Sequence, residues 1–207
     1  PMYKAEDMET LEAFVAQYPF AILSGCDAHQ RPVTTQLPVF MVENKGERVL
    51  HGHMIKGMDH TQAFRENEHA LVVFTGKHAY VSARWYTQPH RASTVNYMSV
   101  HVRGKLRFLG ASALEDILRK TTLVYEGYNE SSPTVFDQLP RSYTKRLMRH
   151  IVAFEIKISS IDSVFKLSQD QDQDSFYSII EALKKESPDA RALAAEMEKR
   201  ADQLFPG

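Results

Sequence analysis

The chain of 207 residues contains one cysteine, Cys26, and one tryptophan, Trp85. A lone cysteine forms neither an internal disulfide nor a thiolate cluster, so a reducing cytoplasm is the expected compartment. Cys26 ends the apolar run Phe20-Ala21-Ile22-Leu23-Ser24-Gly25-Cys26, where it reads as a small buried residue. No apolar run approaches the roughly 20 residues needed to span a bilayer, and no basic stretch precedes an apolar one at the N-terminus, so neither a membrane span nor secretion is expected. Excess charge is also lacking: 25 Lys and Arg face 26 Asp and Glu, which gives no global field for nucleic acid or anionic membrane. There is no glycine-rich dinucleotide or triphosphate loop, and Ser24 and Ser82 lack the strand-turn-helix setting of a nucleophilic serine.

What is present is a 43% hydrophobic content, enough for one substantial core. Asp7 stands ready to cap a helix whose Met8, Leu11, Phe14, Val15 and Tyr18 recur at helical spacing until Pro19 ends it. Strand patterns follow over 20–26, 33–42 and 48–54, with turns at 27–31 and Asn44-Lys45-Gly46, as in an antiparallel meander. A short helix is predicted over 59–67, then strands over 70–75, 79–82 and 95–108; six strands with short links favour a barrel. Leu114, Ile117, Leu118, Thr121 and Val124 mark one amphipathic helix, and Tyr143, Leu147, Met148 and Ile151 a second, with 127–140 a loop. The pattern alternates again over 151–158, which 163–167 can join; 169–174 is a polar loop, and helices are predicted over 175–185 and 189–204. The expected fold class is mainly β with flanking helices, a single domain over 1–207 in which helical elements at 111–150 and 174–205 pack on a six-stranded antiparallel barrel.

The densest chemistry lies in two runs. Residues 76–86 combine strand alternation with Tyr80, Trp85 and Tyr86, and residues 95–104 follow with Asn96, Tyr97 and His101. Two such strands with the loop after the first can hold a flat aromatic ligand, although the same rings suit a core or a subunit interface. Thr34, Thr35 and Gln36 precede Leu37 and Pro38, and Pro38 lacks a ladder donor, so this strand is an edge or is bulged there. Its free backbone groups and polar side chains match the donors and acceptors of a heteroaromatic ring; a solvated edge is the alternative. His51, Gly52 and His53 put two imidazoles on one strand face, but no carboxylate stands at ligand spacing nearby, so hydrogen-bonded or anion-binding roles are expected and no metal. Met54, Ile55, Lys56 and Gly57 then place a cation and a permissive glycine between a strand and a helix start, where an ammonium and backbone N–H groups can hold a phosphate; an ordinary turn is the alternative. Arg141, Lys145 and Arg149, with Arg146 and His150, form a basic stripe that reads as a solvated helix face, and no recognition helix follows it.

Taken together, the segments Gly76-Lys77-His78-Ala79-Tyr80-Val81-Ser82, Trp85-Tyr86, Asn96-Tyr97, Val100-His101, the run from Ile151 to Ile156 and Lys166-Leu167-Ser168-Gln169 resemble the PaiB family. That family is described as FMN-binding negative transcriptional regulators and belongs to the flavin split-barrel group related to pyridoxamine-phosphate oxidases. The resemblance runs from about Met2 to about Lys185 and implies a six-stranded split barrel that forms a homodimer with FMN at the subunit interface. It implies that Thr34, Thr35, Gln36, Leu37 and Pro38 meet the flavin ring. It implies further that His51, Gly52, His53, Met54, Ile55 and Lys56 form the portion that binds phosphate, and that Tyr80, Trp85, Tyr86, Asn96 and Tyr97 supply the aromatic part. The chain departs from the family pattern where Gln36 replaces histidine, Lys56 replaces arginine, Met58-Asp59-His60-Thr61 replaces Asn-Pro-Gln-Trp and Val95 replaces tryptophan. Lysine keeps the charge of arginine but not its fork, and Asp59 brings a carboxylate toward the phosphate.

The function these readings imply is an FMN-binding regulator of PaiB type, with a DNA or protein partner in regulation that the sequence does not make visible. A flavin-dependent oxidoreductase is the alternative; its catalytic residues are unknown, and His53 and His101 are the candidates. A haem-binding or cofactor-free interaction module is the third reading.

Overall fold

The computed structural model describes residues 3–4 and 7–206. In chain order these form α1 (Met8–Gln17), β1 (Phe20–Cys26), β2 (Pro32–Asn44), β3 (Glu47–Ile55), α2 (Asp59–Glu66), β4 (His69–Val81), β5 (Thr94–Phe108), α3 (Ala111–Tyr125), α4 (Arg141–Met148), β6 (Ile151–Lys166), α5 (Gln173–Leu183), α6 (Pro188–Glu198) and α7 (Ala201–Leu204). The strands close into a six-stranded barrel in the order β1-β2-β3-β6-β5-β4. The fold is therefore the expected antiparallel barrel with C-terminal helices. No helix among the described residues is long and apolar enough to cross a membrane.

Local chemistry accounts for several boundaries. Asp7 caps α1: its Oδ1 accepts the Thr10 backbone N–H at 2.6 Å and its Oδ2 accepts the Thr10 hydroxyl at 2.7 Å. The β2–β3 hairpin turns through Lys45 and Gly46, both left-handed (φ 54° and 80°), the two-residue geometry whose twist matches that of the strands. Asp172 caps α5 by accepting the Ser175 N–H at 2.9 Å, and Ser187 caps α6, which has a proline in its first turn.

The chain divides into two compact units. The larger comprises residues 15–74 and 101–161 and holds β1, β2, β3, α2, α3, α4, the first parts of β4 and β6 and the second part of β5. Leu23, Val39, Leu50, Val72, Phe74, Phe154 and Ile156 form its interior, each buried to within a few per cent. Outside the sheet, Leu114 and Ile117 of α3 pack over Ala153 of β6, with Leu109, Leu118, Met148 and Ile151 around them. The other unit comprises residues 1–14, 75–100 and 162–207. Its core is the contact between α5 and α6, where Phe176, Ile179, Ile180, Leu183, Leu193 and Met197 are buried and Phe176 meets Phe205 edge-on at 5.3 Å.

Four readings of the sequence are corrected. The strands expected at 70–75 and 79–82 are one strand, β4, because the polar stretch Gly76-Lys77-His78 stays extended rather than turning. The segments 151–158 and 163–167 are likewise one strand, β6, in which the Ser159 hydroxyl donates to Arg103 O at 3.0 Å and holds the polar middle in the sheet. The helix expected over 189–204 is two, α6 and α7, with Lys199 ending the first. Cys26 is half-buried rather than buried, since it closes its strand opposite Pro32 at the strand end.

Candidate functional site

Within the closed barrel, β2 and β3 pair over only part of their length. Their ladder runs from Asn44↔Glu47 to Val39↔Gly52 and ends there. Beyond it β2 continues from Pro38 to Pro32 paired with β1, while β3 continues from His53 to Ile55 paired with β6. Pro38 has no N–H to carry the ladder on, as its place in the sequence predicts. Gly52 marks the same point from the other strand: a Cβ there would come within 2.5 Å of Phe154 Cζ and 3.0 Å of Pro38 O, so the absent side chain makes room for the buried Phe154 ring beside the place where the strands part.

Alternation then sorts the predicted residues by face. Phe40 pairs with His51 and Val39 with Gly52, so Leu37, Gly52 and Met54 face the interior, where Leu37 and Met54 are core residues. Thr34, Gln36 and Pro38 share the outer face with His51, His53 and Ile55. Thr35 lies half-buried on the inner face, and Thr34 and Gln36 are exposed. The Thr34 hydroxyl lies 3.1 Å from that of Ser24 on the paired strand.

The two imidazoles of β3 have different surroundings. His51 Nε2 meets Glu155 Oε2 at 3.0 Å across the β3–β6 ladder. His53 is held neutral, since burial pushes its pKa down, and its Nδ1 is buried without a hydrogen-bond partner. Such an orphan costs on the order of 1–3 kcal/mol until something supplies its partner.

At the end of β3 the chain turns through Lys56 and Gly57 into α2, fixed by the Thr61 hydroxyl donating to Ile55 O at 2.6 Å. Lys56 is exposed, and its Nζ donates to Arg149 O at 3.0 Å. An ammonium has three protons, so two remain for an anion. Asp59 does not neutralise Lys56: its Oδ1 accepts the backbone N–H of His60 at 2.7 Å and lies 3.4 Å from His60 Nδ1.

The remaining predicted residues lie in the other unit. Tyr80 on β4 and Tyr97 on β5 are exposed, 60% and 38%, and so is Val95 at 43%. Trp85 closes a 3-10 turn, Ala83–Trp85, and with Tyr86 is half-buried; the following Thr87 is tied to α5, its N–H donating to Ser175 Oγ at 3.0 Å. Burial raises the Tyr86 hydroxyl pKa, with Asp170 adding to the effect. Asn96 is fully buried, and its amide donates to Ser168 Oγ at 2.9 Å and reaches Met197 Sδ at 3.7 Å. It braces the C-terminal helices and has no side-chain surface left for a ligand.

Sequence reasoning missed the charged centre of the larger unit. Glu155, only 4% exposed, accepts from Asn44 Nδ2 at 2.7 Å, from His51 Nε2 at 3.0 Å and from Arg107 Nε at 2.8 Å. Burial pushes this carboxyl up, but the hydrogen bonds from His51, Arg107 and Asn44 outweigh it and hold it down at about 2. It lies in a polar cleft of about 550 Å³ together with Lys45, Glu68, Lys105 and Lys157. His51 and Glu155 are 104 residues apart, so no local spacing announces the pair.

A flavin phosphate is a dianion on a flexible chain, and the flavin ring has a polar edge that needs donors and acceptors. The larger unit offers both ends of that match: spare ammonium protons on Lys56, and an unpartnered imidazole beside the point at Pro38 where β2 loses its pairing with β3. The chain is similar to the protease synthase and sporulation protein PAI 2 of Bacillus subtilis (strain 168), with 29% identity, covering 96% of this chain and 95% of that protein. This agrees with the PaiB resemblance. Among solved structures, the FAD and haem binding protein from Mycobacterium smegmatis superposes with a TM-score of 0.61 at 19% identity, over 79% of this chain and 73% of that one. The flavocytochrome Anf3 from Azotobacter vinelandii gives 0.59 at 17% identity, over 79% and 69%. Likenesses at this level establish the fold. A family profile described as "Putative FMN-binding domain" matches residues 1–160, more than half of the sequence, with FMN as the cofactor, and this chain therefore belongs to that family.

Proposed function

We propose that this protein binds FMN on the outer face of β1, β2 and β3, with the polar edge of the ring against Thr34, Gln36, Pro38 and His53 and the phosphate at Lys56. The observation that carries this reading is the parting of β2 from β3 at Val39↔Gly52, beside which His53 Nδ1 lacks a partner and after which Lys56 keeps unused donors. Bound FMN supplies reversible electron and hydride transfer. The chain's own residues bind and orient: the backbone past Pro38 gives donors and acceptors, neutral His53 gives one ring N–H or lone pair, and Lys56 gives charge. Titration of cofactor-stripped protein with FMN and with riboflavin tests the assignment. Lys56→Ala is expected to weaken FMN about tenfold or more, the worth of a charge-assisted hydrogen bond, and to leave riboflavin unchanged. Equal FMN affinity in the variant would remove Lys56 from the site.

The protein acts as a homodimer in this reading, and as a regulator of PaiB type whose output depends on the flavin or a ligand beside it. Support for the dimer is the uncovered apolar surface: Phe20, Ile55 and Met58 in the larger unit, and Tyr80, Val95 and Tyr97 in the other, are each at least 38% exposed. Sedimentation is expected to show a dimer that dissociates when Tyr80 and Tyr97 are both changed to aspartate; a monomeric wild type at micromolar concentration would refute it. Regulation by direct reading of DNA has little support, because α4 runs straight into β6 with no second helix to enter a groove. If NAD(P)H bleaches the bound flavin, the oxidoreductase reading takes precedence.

A further inference from the structure

Lys56 is tied to a helix far away in sequence. Its backbone N–H donates to His150 O at 2.9 Å and its Nζ donates to Arg149 O at 3.0 Å, across 93 residues. Arg149 is the C-cap of α4, so the turn after β3 and the end of α4 are joined by two hydrogen bonds. A lysine at a helix C-terminus is favourable in itself, because the last carbonyls carry partial negative charge.

Lys56, Arg149 and His150 are all exposed, and among the described residues none has a carboxylate partner. Several other cations of this unit are matched: Lys105 with Glu68 at 2.5 Å, Arg107 with Glu155 at 2.7 Å and Lys157 with Glu47 at 2.9 Å. Asp59, the nearest acid in sequence, is occupied by the start of its own helix. Two further unpaired cations, Lys145 and Arg141, lie one and two turns back along α4 from Arg149, so positive charge accumulates toward this end.

We propose that Arg149 and His150 complete, with Lys56, a binding site for a phosphate monoester. This rests on the flavin reading only in identifying the natural ligand as FMN; the anion site stands on the Lys56 and Arg149 cations, with the His150 ring as a further hydrogen-bonding group. Arg149 supplies the two-pronged planar donor that Lys56 cannot, and so makes good the replacement of the family's arginine by lysine at position 56. Lys56 contributes its two remaining protons and keeps Arg149 in place through the carbonyl it holds. Arg149 is a binding residue here, recruited from the end of α4, an element 93 residues beyond Lys56.

The experiment compares wild type, Arg149→Ala and Arg149→Lys in titrations with FMN, riboflavin and inorganic phosphate, the last followed by amide NMR shifts of Lys56 and His150. Arg149→Ala is expected to lower FMN affinity about tenfold or more, with partial recovery in Arg149→Lys and no change for riboflavin. The phosphate-induced shifts should vanish in Arg149→Ala. An Arg149→Ala protein that binds FMN and phosphate as the wild type does would overturn the proposal and leave the flavin reading standing. Phosphate binding that depends on Arg149, in a protein that takes up no flavin, would keep the site and overturn the flavin reading. A wild type that binds neither would end both. The side chain is exposed, so an unchanged melting temperature should accompany each variant.

Discussion

Glu155→Gln is expected to lower stability at neutral pH by about 2 kcal/mol, and the loss is expected to shrink as the solution is acidified. The side chain keeps its volume but loses its charge, and one of its oxygens becomes an NH2, so either Arg107 at Oε1 or Asn44 and His51 at Oε2 face a donor while the others keep a weaker acceptor inside the sheet. Arg107 is 67% exposed, and water screens its half of the pair, which places the cost below that of a fully buried ion pair. For a chain of this size the change corresponds to roughly 4–8 °C in melting temperature. The sign of the pH effect follows from the direction of the shift. The folded protein holds this carboxyl at about 2 against an ordinary 4.5, so its contribution is complete above 4.5 and disappears as pH falls through 2. Wild type and variant should thus differ most at pH 6–7 and converge toward pH 2 in thermal melts. A difference that stays constant across that range would show that packing, and not charge, sets the value of Glu155.

The legible parts of the fold were those whose signals are local. The Asp7 cap, the Lys45-Gly46 turn and the alternating strands on either side of it depend on residues within a few positions of each other, and the structure has them all. Merged strands were illegible for the complementary reason. Gly76-Lys77-His78 and the polar middle of β6 look like breaks in isolation, and they stay extended because the neighbouring strands take up their backbone groups. The split α6–α7 has neither proline nor glycine at the break, so composition could not announce it.

The site divides along the same line. Pro38 predicts a strand edge because a missing N–H is a property of the residue itself, and the ladder does end beside it. Lys56-Gly57 predicts an exposed cation at a strand end, and Lys56 is one. By contrast, Asn96 looks like a ligand-facing amide among aromatics, yet its partners Ser168 and Met197 lie 72 and 101 residues away and turn it into a brace. The carboxylate that the sequence does not show near His51 is Glu155, supplied by a strand the spacing rules could not reach. Arg149 belongs with these: its backbone carbonyl meets Lys56 only because α4 ends where β3 does.

Gly104→Ala is expected to be the most damaging single methyl in the barrel. A Cβ at this position would run into the carbonyl oxygen of Lys157 and come within 2.6 Å of Ile156 Cγ2 and 3.0 Å of the Lys157 carbonyl carbon. A flexible side chain can swing aside, but a carbonyl in a ladder cannot. Lys157 and Ile156 are paired on their other side with Val49 and Leu50 of β3, so pushing β6 outward strains a second ladder in a sheet that has no free edge to absorb the movement. The cost should reach about 3 kcal/mol, at the upper end for overpacking, or roughly 6–12 °C in melting temperature. Gly104→Val, with two further methyls, is expected to leave no soluble folded protein. Gly57→Ala is the control, since a Cβ there meets nothing within 4 Å. It should melt within about 2 °C of wild type, as exposed substitutions do. If Gly104→Ala and Gly57→Ala melted together, the close approach of β5 to β6 would have to be relieved by the strands separating at this point, and the two ladders would not be coupled through Lys157.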